Sequence, residues 1–73
     1  MSELKDVAID LLDQYGDVVD IYYTQFLEVA FFLKVPASEP MAVAFVKRKL
    51  PGLTEDEIRY LINQIVEGYY DTL

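Results

Sequence analysis

The sequence predicts an all-α protein, a compact bundle of four short helices forming one domain over residues 1–73. Three observations predict it. Apolar residues recur at steps of three and four along most of the chain, the spacing that gathers them on one helix face. Only three glycines and three prolines interrupt the pattern. Hydrophobic residues make up 53% of the chain, too many for a disordered polymer even at a formal net charge of -7.

The first predicted helix runs from about Glu3 to Tyr15. Leu4, Val7, Ala8, Leu11, Leu12 and Tyr15 form its apolar stripe, and Ser2 is its expected N-cap. Gly16 is expected to end it. Asp17 would then cap a second helix over Val18–Leu33, where Val18, Val19, Tyr22, Phe26, Val29, Ala30 and Leu33 share one broad face. Ile21 and Phe32 widen that face, so this helix reads as the centre of the bundle. Its β-branched and aromatic content leaves a strand reading open. The length of the run and the lack of a hairpin turn favour helix.

Val35–Pro40 reads as a linker, because residues that precede proline avoid the helical region. Ser38 is the expected cap of a third helix that tolerates Pro40 in its first turn. Met41, Ala42, Val43, Phe45, Val46 and Leu50 supply its apolar side. Lys47, Arg48 and Lys49 fall in its last turn, where positive charge complements the helix dipole. After the tight connection Leu50–Leu53, Thr54 and Glu57 form a T-x-x-E capping box. Ile58, Leu61, Ile62, Ile65, Val66 and Tyr69 then carry the apolar face of a fourth helix to its end.

The chain has no histidine and no cysteine. The commonest general base, the thiol nucleophile, disulfides and the usual zinc ligands are therefore all missing. No glycine pattern suits a phosphate cradle. Glu55, Asp56 and Glu57 are adjacent carboxylates, but a first helical turn explains them. A non-enzymatic protein without cofactor or metal is expected. The start Met1–Asp6 lacks the basic residues and apolar run of a secretory signal, and the stretch from Val18 to Val35 is interrupted by Asp20, Glu28 and Lys34. The expectation is a cytoplasmic protein without membrane contact. The acidic balance argues against direct nucleic-acid binding and favours a protein partner with a basic surface.

Three features are candidates for binding. Glu3, Asp6, Asp10, Asp13, Asp17 and Asp20 alternate steps of three and four, which puts one carboxylate per helical turn, about 5 Å apart, along one face. That rise is a little shorter than the spacing of phosphates along a nucleic-acid strand, and such a row is expected to fit a basic groove that otherwise holds DNA or RNA. Aromatics form the second feature. Phe31 lies on the wheel beside Asp20, Thr24 and Leu27, and Tyr60 lies among Asp56, Asn63, Gln64 and Glu67. Exposed aromatics are over-represented at interaction hot spots. The third is the basic cluster Lys47, Arg48 and Lys49 in an acidic chain. Each has a plain structural reading beside it: a solvated helix face, ordinary packing, and dipole pairing.

In length, charge and lack of catalytic residues the chain resembles the small phage-encoded regulators that bind and inhibit host RNA polymerase. The resemblance implies transcription regulation through a protein partner and assigns no site residues. Within the segment Phe45–Val66 the pattern F-V-K-R-K-L-P-G-L-T-E-D-E-I-x-x-L-I also looks like the helical hairpin that closes some phage tail and lysis-associated proteins. The turn Leu50–Leu53 is superficially similar to that of ubiquitin-associated helical domains, whose three-helix spacing the rest of the chain lacks. The leading expectation is an acidic regulator, monomeric or weakly dimeric, docked on a nucleic-acid enzyme. The competing one is an assembly or adaptor subunit with a helical oligomer interface.

Overall fold

Residues 12, 16, 19, 23, 26 and 30 step by three and four along one side of a single long helix, and the rest of the fold packs on that side. The computed structural model describes the backbone of residues 2–68 and the side chains of residues 10–68. Its helices are α1 (Ser2–Leu33), α2 (Glu39–Lys49) and α3 (Glu55–Val66). The described residues contain no strand, so the strand reading of the segment after Gly16 is set aside.

The fold is all-helical as expected, but it has three helices rather than four. The two segments expected on either side of Gly16 are one helix of 32 residues. Gly16 is buried and lies on the inner stripe between Leu12 and Val19. A glycine inside a helix costs about 1 kcal/mol relative to alanine. Burying a single leucine or valine on the same stripe returns roughly 1.5–3 kcal/mol. The stripe outweighs the local propensity, and the helix continues. Asp17, expected as a cap, is an exposed mid-helix residue.

The end of α1 is a Schellman closure. Val35 donates its backbone N–H to the Ala30 carbonyl at 3.0 Å, and Lys34 donates to the Phe31 carbonyl at 3.2 Å. Lys34 takes a positive φ of 60° to allow this. Ser38 then sits at the N-cap of α2 with extended backbone, although its side chain makes no capping bond, and Pro40 occupies the first turn. The capping box of α3 is complete. Thr54 donates its N–H to Glu57 Oε1 at 2.8 Å, and Glu57 donates its N–H to Thr54 Oγ1 at 3.1 Å. The last helix stops short of the expected end at Tyr69. Helix α3 closes at Val66, and Gly68 follows with φ 77°. That left-handed conformation is one glycine adopts freely, and it stops the helix. Tyr69 and Tyr70 lie outside the described residues.

Every pair of helices is in contact. The core joins Leu12, Val19, Phe26 and Ala30 of α1 to Ala42, Val43 and Val46 of α2, Leu53 of the connection, and Ile58, Leu61 and Ile62 of α3. Val19, Val46, Ile58 and Leu61 are fully buried. Phe26 links two helices through its ring, 5.8 Å from that of Phe45. Among the described residues the core holds no buried polar or charged side chain. No helix among them is long and apolar enough to cross a membrane.

Candidate protein-binding surface

Because α1 does not break at Gly16, its outer side is one continuous row. Asp10, Asp13, Asp17, Asp20, Thr24, Leu27 and Phe31 alternate steps of three and four on the same helix. Asp10, Asp13 and Asp17 are exposed, and Asp20 is half-buried. The row then turns apolar. Leu27 is exposed, and Phe31 has 76% of its surface open. The acidic half and the apolar half therefore lie in line on one rigid element. Asp6, placed with this row by its spacing, lies outside the described side chains, as does Glu3.

The apolar end of α1 reaches further round the helix than the sequence implied. Phe32, expected to widen a buried face, is 83% exposed, and Leu33 is 60% exposed. Val29, Val35 and Met41 are exposed beside them. Two phenylalanines open to this degree present on the order of 250–400 Å² between them. That is already comparable with the largest apolar patch of a typical monomer. Helices α2 and α3 both pack on the stripe of α1 that carries Phe26 and Ala30, which leaves Phe32 and Leu33 uncovered. The sequence assigns Phe32, Leu33 and Met41 to apolar faces and not to a binding surface. The available signal was an all-round apolar helix with too few partners to bury it.

Between the end of α1 and the start of α2 lies a groove of about 280 Å³. Phe26, Ala30 and Phe45 form its floor, Val29, Leu33 and Met41 its walls, and Arg48 its polar edge.

The three clustered cations have separate surroundings. Lys47 is half-buried, and its ammonium donates to the Pro51 carbonyl at 3.1 Å and also to the Leu53 carbonyl. It closes the connection between α2 and α3. Arg48 is exposed at the groove. Lys49 holds its Nζ 5.6 Å from the centroid of the Phe45 ring, a cation–π contact. Tyr60 is half-buried and packs against the core, far less open than Phe31. Arg59 pairs with Asp56 at 2.8 Å and with Glu39 at 3.2 Å, tying α3 to the start of α2. These pairs are partly exposed and contribute at most about 1 kcal/mol each.

The arrangement offers two surfaces. An outer row offers carboxylates and then an aromatic anchor, and a separate groove offers an apolar floor beside cations. Among the described residues no group of carboxylates is gathered in a way that would hold a metal ion. No family model, curated protein or solved structure matches the chain.

Proposed function

We propose that this protein is a non-catalytic regulator that docks on a partner protein with a basic surface. The partner is an enzyme that handles nucleic acid, RNA polymerase being the one that the resemblance to phage-encoded regulators implies. The observation that carries the reading is the unbroken outer row of α1, from Asp10 to Phe31. Carboxylates one helical turn apart suit a groove whose lysines and arginines otherwise neutralise phosphates. Leu27 and Phe31, at the end of the same row, add apolar contacts that simple charge pairing lacks. Occupying such a groove would exclude nucleic acid and so inhibit or modulate transcription.

The test is retention of purified RNA polymerase on the immobilised protein, with and without competing DNA. The expected result is retention that DNA displaces and that Asp10→Asn, Asp13→Asn and Asp17→Asn together abolish. Absence of retention, or retention unchanged in the triple variant, would overturn the reading.

A second reading is an assembly subunit that pairs with copies of itself or another chain. The exposure of Phe32 and Leu33 favours it. Sedimentation at micromolar concentration separates the two. A stable oligomer that Phe32→Asp dissociates supports assembly, and a monomer supports the regulator.

A further inference from the structure

We infer that the groove between α1 and α2 is a second docking site, and that its occupant is an acidic amphipathic helix of a partner protein. The groove is distinct from the outer row. At 100° per residue, Val29 lies about 200° around α1 from Leu27. The outer row and the groove therefore face different directions and can be filled at the same time.

The charge around the groove selects the occupant. None of its lining residues carries a carboxylate, and Arg48 is the charged one among them. One more cation adjoins it. Lys49 sits over the ring of Phe45, a floor residue. Two of the chain's six lysines and arginines thus border an apolar trough in a protein of strongly negative charge.

An amphipathic helix places apolar anchors at i, i+3 or i+4, and i+7 into such a trough. Carboxylates flanking those anchors would meet Arg48 and Lys49 on the α2 side. Met41, an adaptable side chain, forms part of the wall. The chain would then be bivalent, with an acidic face for a basic partner and a basic-rimmed groove for an acidic one.

The probe is a synthetic helix with leucines at i, i+3 and i+7 flanked by glutamates, compared with the same helix carrying lysines. Binding is read from methyl chemical shifts of Val29, Leu33 and Met41, which separate the groove from the outer row. The overall charge of the protein would favour the lysine helix everywhere, so a glutamate preference has to come from the groove. The expected result is saturable shifts with the glutamate helix and at least about tenfold weaker binding of the lysine helix there. Arg48→Glu with Lys49→Glu, two exposed positions, should invert that preference, and Met41→Asp should abolish groove binding with helicity retained. Asp10→Asn, Asp13→Asn and Asp17→Asn should leave it unchanged, which keeps this test independent of the outer row. Absence of shifts, equal binding of both helices, or a sedimentation dimer that Met41→Asp splits into monomers would overturn the inference, the last by showing a second copy in the groove.

Discussion

The amide of Val35 reaches back to the carbonyl of Ala30 across 3.0 Å, and this bond both ends α1 and sets the rim of the groove. Ala30 lies on the groove floor and Val35 on its edge. The closure holds Lys34 at φ 60° between them. A residue with a Cβ pays roughly 1–2 kcal/mol in that conformation, and glycine does not.

Lys34→Gly should therefore stabilise the fold, by up to about 1 kcal/mol once the greater freedom of glycine in the unfolded chain is counted. Urea denaturation followed by circular dichroism measures it. A loss of stability would mean that the lysine side chain contributes more than its backbone conformation costs.

Gly16 tests the continuity of α1. Proline inside a helix removes a hydrogen bond and clashes with the preceding turn, at about 3 kcal/mol or more. A core this small supplies little beyond that. Gly16→Pro should abolish cooperative unfolding at room temperature. A variant that melts like the parent would show two helices meeting at Gly16.

Lys47 and Arg48 are neighbours of the same charge with different work. Lys47→Ala removes the donor to the Pro51 and Leu53 carbonyls and should cost about 1 kcal/mol. Arg48→Ala, on an exposed rim, should change stability by less than about 0.5 kcal/mol. Paired melting curves decide it, and equal effects would deny Lys47 its structural role.

Much of this was legible in the sequence, because local signals act locally. The T-x-x-E box, the proline in the first turn of α2 and the middle of each inner stripe appear as read, whereas Ile21, Val29, Phe32, Leu33, Met41 and Val66, all expected on apolar faces, are exposed. Gly16 does not break α1 because its local preference is weak, while the stripe it belongs to spans both sides of it. Gly68 is the opposite case, a glycine whose left-handed conformation closes the helix although the apolar pattern runs on to Tyr69. The candidate surface was legible in part. Wheel geometry alone put Phe31 with Leu27 and Asp20. The groove was not legible, since it joins Val29 and Leu33 to Met41 and Phe45 across a linker, and periodicity within one helix does not tell how many neighbours that helix has. The basic cluster divided for the same reason: residue type is shared by Lys47, Arg48 and Lys49, but a turn carbonyl, a groove edge and an aromatic ring are supplied by other parts of the chain.

The most direct measurement concerns the outer row of α1 as a docking face. The protein is labelled with a fluorophore at Asn63→Cys, an exposed site on α3, and titrated with RNA polymerase at two salt concentrations. Saturable binding is expected, weakening as salt rises. Phe31→Asp should weaken it by at least about tenfold, and neutralising Asp10, Asp13 and Asp17 should flatten its salt dependence. Absence of saturable binding, or binding indifferent to both changes, would contradict the assignment of that face.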